Sequence, residues 1–213
     1  MPLVKICGVT TWTDAKAAVD AGADLLGFVC DENSERLISP GDFREIAARL
    51  PARIACVGVF GGLTHPEWRR AGAEIYSKFH QIQYYDDAIW SEVIRENWDM
   101  RRKIKAFHLT RDQDLRTIAA SNGLAQNFLL NVHAQAPAGY ADPELYGWEL
   151  AREVRQFGKN IYLTGGLTPE NVRAAIGRVQ PYAVDVAVGV ESSPGVKDPA
   201  KMAAFVRAAR GGK

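Results

Sequence analysis

Eight short runs rich in Val, Ile, Leu and Phe recur along the chain, each followed by a stretch with helical periodicity. This alternation is the strongest constraint on the fold. The runs are Leu3–Cys7, Leu25–Cys30, Ile54–Phe60, Phe79–Gln83, Ile104–Leu109, Phe128–Val132, Ile161–Thr164 and Ala183–Val188. Most are continuously apolar, the pattern of parallel strands covered on both faces. Strand–helix repeats join parallel strands through right-handed crossovers. A closed barrel and an open doubly wound sheet both satisfy this, and eight repeats favour an α/β (β/α)8 TIM barrel. At 213 residues the chain is near the lower size limit for that architecture. No linker or low-complexity segment interrupts the pattern, so residues 1–213 read as a single domain.

Helix starts carry capping chemistry. Thr11-Trp12-Thr13-Asp14 precedes Ala15–Ala21, with Gly22 as the stop. Ser39-Pro40 places a cap before a first-turn proline. Thr64-His65-Pro66-Glu67 is a full capping box, and Thr168-Pro169-Glu170-Asn171 reads as another helix opening before Val172–Ile176. Further helices are expected at Asp86–Trp98, Arg111–Ala120, Leu145–Phe157 and Pro199–Arg210.

Composition narrows the partners. The formal net charge is +1, without the basic excess of a nucleic-acid footprint. The basic run Arg101-Arg102-Lys103 is short and reads as a solvated corner. No apolar run is long enough to span a bilayer, and no signal-peptide pattern is present, so neither a membrane nor a nucleic acid is an expected partner. Three cysteines, an odd number at strand-like positions, argue for a reducing cytoplasm rather than a disulfide framework. No Cys or His pair has zinc-site spacing, and no metal or cofactor is expected.

In such a barrel, reacting groups sit at the C-terminal ends of the strands. Cys7 ends the first strand and so opens onto that face. Cys30 and Cys56 read as packed strand residues. The longest irregular stretch, Asn131–Glu144, follows strand six on the same face.

Four segments together resemble phosphoribosylanthranilate isomerase. They are Lys5-Ile6-Cys7-Gly8 followed by Asp14-Ala15; Gly22-Ala23-Asp24-Leu25-Leu26-Gly27-Phe28; Thr164-Gly165-Gly166-Leu167-Thr168-Pro169-Glu170-Asn171-Val172; and Gly189-Val190-Glu191 through Lys197-Asp198. The resemblance implies an Amadori rearrangement in tryptophan biosynthesis. A phosphoribosyl amine opens its furanose ring and isomerises to an aminodeoxyribulose phosphate. The chemistry needs an acid at the ring oxygen and a base at C2′. By resemblance the base is Cys7, a role that suits a thiol whose pKa is lowered toward neutrality. Arg36, in Ser34-Glu35-Arg36, matches the residue that holds the aromatic carboxylate. Gln81 and Gln83 fall in the strand-four motif, as candidate substrate contacts. Gly165, Gly166, Gly189 and Val190 match the phosphate cradle, and Asp185 matches a structural position on strand eight. The implied partner is a small anionic, phosphorylated substrate, bound by a monomer or a homodimer.

Four departures from the family pattern fall on the predicted catalytic face. The acid, an aspartate at the end of strand six, is Asn131 here, and an amide cannot donate a proton as a carboxylic acid does. The glycine-rich loop after strand six is replaced by Ala134–Tyr140. Gln-Leu-His-Gly on strand four becomes Gln81-Ile82-Gln83-Tyr84, and the serine pair before the last cradle glycine becomes Ala187-Val188. His133, two residues beyond Asn131, is a candidate replacement acid. His80, His108 and His133 would share one rim, and Tyr84, Tyr85 and Tyr140 would offer an apolar wall there. Two other functions stay open on the residues alone: a repurposed barrel using Cys7 as base or nucleophile on another small anionic cyclic substrate, and a non-catalytic anion binder.

Overall fold

The computed structural model describes residues 1–61, 66–71, 73–85, 99–133 and 142–212. The expected helix at 86–98, the Thr64-His65 half of the capping box and the loop at 134–140 with its Tyr140 lie outside the described residues. Eight strands follow one another in sequence: β1 Leu3–Cys7, β2 Leu25–Val29, β3 Ala55–Phe60, β4 Gln81–Tyr84, β5 Lys103–Leu109, β6 Asn127–Val132, β7 Asn160–Thr164 and β8 Ala183–Val186. Each is hydrogen-bonded to the next, and β1 pairs in parallel with β8 to close the barrel. The open doubly wound alternative is thereby excluded. Helices α1 Trp12–Ala21, α2 Pro40–Arg49, α3 Pro66–Arg70, α4 Ala73–Tyr76, α5 Asp114–Ala120, α6 Pro143–Glu153, α7 Val172–Val179 and α8 Pro199–Ala209 alternate with the strands.

Strand pleating sorts the apolar residues into two cores. Val4, Ile6, Phe28, Phe128, Leu163 and Val184 point outward and bury against the helices. Leu25, Val57, Ile104, Leu129, Tyr162 and Ala183 fill the barrel interior, together with Cys7. Cys30 and Cys56 belong to the outer core, as packed residues should.

The capping signals act as read at two helices. Thr11 Oγ1 accepts from the Asp14 N–H (3.1 Å), and Ser39 Oγ accepts from the Asp42 N–H (3.1 Å). Residues 168–171 behave differently. The Asn171 side chain accepts from the Thr168 N–H (2.8 Å) and Thr168 Oγ1 from the Glu170 N–H (3.2 Å), forming a side-chain-locked turn, and α7 begins at Val172, the expected start.

Strand four starts two residues later than expected, at Gln81. The Phe79 N–H closes a turn onto the Tyr76 carbonyl (3.1 Å), and the Phe79 ring stacks on Phe43 in the outer core (4.3 Å between centroids). Strand eight ends at Val186, and Val188–Val190 form one 3-10 turn leading into a hairpin of β9 Glu191–Ser193 and β10 Val196–Lys197.

Candidate active site

Two inward-facing residues of β1 organise one side of the barrel mouth. Lys5 is completely buried, and its Nζ donates to Asp185 Oδ1 (2.9 Å) and Gln83 Oε1 (3.0 Å). Barrel closure makes this possible, because Lys5 stands opposite Asp185 in the β1–β8 register. Burial alone would push the ammonium down. The Asp185 carboxylate and the Cys7 sulfur together outweigh it and hold Lys5 above its ordinary value, so the charge persists inside the barrel.

Cys7 lies one pleat further toward the mouth. Its β2 neighbour is Gly27, where a Cβ would come within 2.6 Å of Cys7 Sγ and 3.0 Å of Lys5 Nζ. The missing side chain is what lets thiol and ammonium converge. Burial pushes the Cys7 thiol up from its ordinary value, and the Lys5 charge offsets this only in part. The sequence reading asks for a thiol lowered toward neutrality. In the barrel the balance runs the other way.

Gln83, a candidate substrate contact, is 3% exposed and serves as an acceptor for Lys5 beneath the mouth. Gln81 opens β4 at the N-terminal end of the barrel, where its Oε1 accepts from Tyr162 Oη (3.1 Å). It lines a cavity at that end with Leu3, Leu25, Tyr162 and Tyr182, away from the mouth. His80 is at the same end, its Nδ1 accepting from the Cys56 N–H (3.0 Å), so the three histidines do not share one rim.

Arg36 reaches the mouth from the β2–α2 connection. Its Cδ lies over Gly8, 2.6 Å from where a Cβ there would stand. Its Nε and Nη2 donate as a fork to Glu191 (2.8 and 2.7 Å), and Glu191 also accepts from the buried Lys197 (2.7 Å). Burial pushes the Glu191 carboxyl up, but the hydrogen bonds from Arg36 and Lys197 prevail and hold it below its ordinary value.

The other side of the mouth is built from β4, β5 and β6. Asn131 and His108 are paired in the β5–β6 register. Asn131 Nδ2 donates to Tyr85 Oη at 3.4 Å, and the Tyr85 ring stacks on His108 (4.9 Å between centroids, 23° between planes). Tyr84 turns outward from the interior and is fully buried, so it forms no wall of the mouth. Asn131 and exposed His133 line a cavity of about 270 Å³ with Asp185, Gly165, Gly166 and Gly189. Gly165 has φ 96°, and a Cβ there would strike the Val132 backbone at 2.3 Å, so this turn admits only glycine. Val190 lies outside that lining. Its side chain is fully buried in the outer core and its N–H donates to the Ala187 carbonyl (3.4 Å). Gly165, Gly166, Val188 and Gly189 line the cavity, and Val190 does not.

A family model for N-(5′-phosphoribosyl)anthranilate isomerase matches residues 4–208. The chain belongs to this isomerase family. The N-(5′-phosphoribosyl)anthranilate isomerase of Geotalea uraniireducens is 41% identical over 99% of this chain and all of its own length. That of Pseudomonas fluorescens strain Pf0-1 is 38% identical over 97% of each chain. The crystal structure of phosphoribosyl anthranilate isomerase from Thermotoga maritima superposes with a TM-score of 0.79 at 32% identity, covering 99% of this chain and all of that one. A phosphoribosyl anthranilate isomerase in complex with reduced 1-(o-carboxyphenylamino)-1-deoxyribulose 5-phosphate superposes with a TM-score of 0.77, also at 32% identity, over 99% of this chain and all of that one.

In this isomerase barrel the sequence reading gives Lys5 and Glu191 no role, and gives Tyr85 only that of an apolar wall. A lysine within a strand ordinarily reads as a solvent-reaching side chain. Only the inward parity of Lys5 with Cys7, set against the acid on β8, signals a buried pair. Glu191 sits in a segment that resembles the family, without a neighbouring residue in sequence that suggests its role. Tyr85 lies just past the end of β4 and read as wall.

Proposed function

We propose that the protein catalyses the Amadori rearrangement of N-(5′-phosphoribosyl)anthranilate, an intramolecular aldose–ketose isomerisation. The observation that carries this reading is the convergence of Cys7, the Lys5 ammonium and the glycine-turn cavity at one barrel end in a chain with full-length isomerase relatives. Those relatives favour neither a repurposed barrel nor a non-catalytic anion binder.

In this assignment Cys7 takes the C2′ proton of the ring-opened iminium as a thiolate. Lys5 is its positioning residue, supplying positive charge beneath the sulfur that grows in value as substrate excludes water. Arg36 takes the anthranilate carboxylate on the guanidinium edge that Glu191 leaves open, and Glu191 fixes the plane of the fork. The Gly165, Gly166 and Gly189 turns take the phosphate. The phosphorylated ligand named with the related structure supports this class of substrate. Among the described residues no helix is long and apolar enough to cross a membrane. We assign the protein to a reducing cytoplasm on its three unpaired cysteines. A dimer is named for the Thermotoga maritima relative, and a monomer or homodimer fits here.

The test is turnover of phosphoribosylanthranilate by purified protein, followed by anthranilate fluorescence, together with rescue of a tryptophan auxotroph lacking this step. Turnover that Cys7→Ser abolishes is the expected result. No turnover at high enzyme concentration, with no rescue, removes the reading.

A further inference from the structure

Ring opening breaks the C1′–O4′ bond and leaves an alkoxide that must be protonated, and the residue at the end of β6 cannot do it. Asn131 carries an amide. Among the described residues, two acidic groups of the mouth are committed elsewhere. Asp185 is the counter-ion of Lys5 at 2.9 Å, and Glu191 is held by Arg36 and Lys197, each at 2.7 Å. His133 is an exposed rim residue whose backbone N–H continues the strand to the Leu109 carbonyl (3.3 Å).

Tyr85 is placed differently. Side chains 81, 83 and 85 share the inward parity of β4. Gln83 meets Lys5, and Tyr85 stands two residues nearer the mouth, packed against the inner cluster that contains Cys7. Three contacts position it. His108 stacks on the ring, Asn131 Nδ2 points at the phenol oxygen, and Lys105 Nζ donates to the Tyr85 carbonyl (2.6 Å).

We propose that Tyr85 supplies the proton that the family's aspartate would have given, its Oη protonating O4′ as the C1′–O4′ bond breaks. This rests on the isomerase reading. The anilinic nitrogen lone pair forms the C1′=N bond, the ring C–O pair goes to O4′, and O4′ takes the phenolic proton, leaving tyrosinate and an iminium. The Cys7 thiolate then takes the C2′ proton to give the enolamine, which ketonises to product. Transfer of the thiol proton to the tyrosinate restores both groups. Asn131 suits this arrangement. Its amide donates to the phenol oxygen, which directs the phenolic proton away into the mouth and would stabilise the tyrosinate, where a carboxylate would repel it. Burial pushes the Tyr85 phenol up to about 12, so it stays protonated at neutral pH, and it remains a stronger acid than the alcohol it must protonate.

The test compares wild type, Y85F and N131D/Y85F with phosphoribosylanthranilate. Loss of a general acid predicts that kcat of Y85F falls by about 10²–10⁴-fold while its thermal midpoint holds. KM should stay within about threefold, because the lost interaction is one made in the transition state. N131D/Y85F, which restores a carboxylic acid at the end of β6, should recover at least about tenfold over Y85F. Active wild type with Y85F within about threefold of it overturns the phenol's role while leaving the isomerase reading intact. A double variant no better than Y85F also overturns it. Wild type without turnover overturns both. If Y85F does not fold, 3-fluorotyrosine at position 85 keeps the ring and acidifies the phenol. A changed kcat then supports the proposal and an unchanged one overturns it.

Discussion

On the β1–β8 side of the mouth, Cys7 stands on buried charge. Lys5 and Asp185 are both nearly inaccessible, and Gly27 admits the thiol against the ammonium. On the β4–β6 side, Asn131, Tyr85, His108 and His133 are half-buried or exposed, and ring stacking with single hydrogen bonds from Asn131 and Lys105 sets the geometry of Tyr85 there, with no buried ion pair among these four. The base side therefore depends on barrel closure itself, since its ion pair spans the seam between the first and last strands. The acid side depends on which side chains three neighbouring strand ends present. A group that depends on the closed seam cannot change without loss of stability. One that depends on strand-end side chains can be exchanged, and three of the four departures expected from the sequence fall there, the fourth lying just past β8.

The largest expected effect comes from cutting the ion pair. Lys5→Met leaves the Asp185 carboxylate buried without its partner, which typically costs about 3–5 kcal/mol of stability. The denaturant midpoint should fall accordingly, and activity should fall with it because Cys7 loses its nearest positive charge. Adding Asp185→Asn should return part of the stability and none of the activity. A Lys5→Met protein as stable as the wild type would show that the base side is not built on charge.

The next effect is smaller and follows from the direction of the Cys7 shift. Burial raises the thiol, so below its ordinary 9.0 Cys7 is held protonated. The reactive thiolate then grows with pH, and iodoacetamide alkylation should rise about tenfold per pH unit from neutral upward without levelling off. The Cys7→Ser protein corrects for Cys30 and Cys56, which are buried beneath the helices. A plateau near neutrality would mean that Lys5 overcomes burial and that the base is preformed before substrate arrives.

Much of the barrel is legible in sequence because strands buried on both faces must be apolar throughout, and all eight strands fall within two residues of the expected span at each end. Inward parity also fixes Cys7. Height along a strand is harder to read. Beginning β4 at Gln81 rather than Phe79 leaves the same side chains pointing inward but moves each one down the barrel. At roughly 3.3 Å per residue, a two-residue shift is about a full layer of side chains. That shift takes Gln83 from the mouth to the support beneath it, and puts Tyr85 at the tip. The Lys5–Asp185 pair was illegible for a different reason: its partners are 180 residues apart and meet only when the barrel closes.

The smallest prediction tests that layer assignment. Gln81 accepts from Tyr162 at the N-terminal end, in contact with a cavity lined by Arg53, Tyr162 and Tyr182. Gln81→Met removes one neutral acceptor there, and the cavity lets water reach the stranded phenol, so the cost should be about 0.5–1.5 kcal/mol. Activity should be untouched, with kcat/KM within about twofold of wild type. If KM instead rises about tenfold with stability unchanged, Gln81 acts on substrate and the β4 register is wrong by one layer. Tyr85 would then no longer face Cys7, so this mild variant constrains the acid side as strongly as any substitution made there.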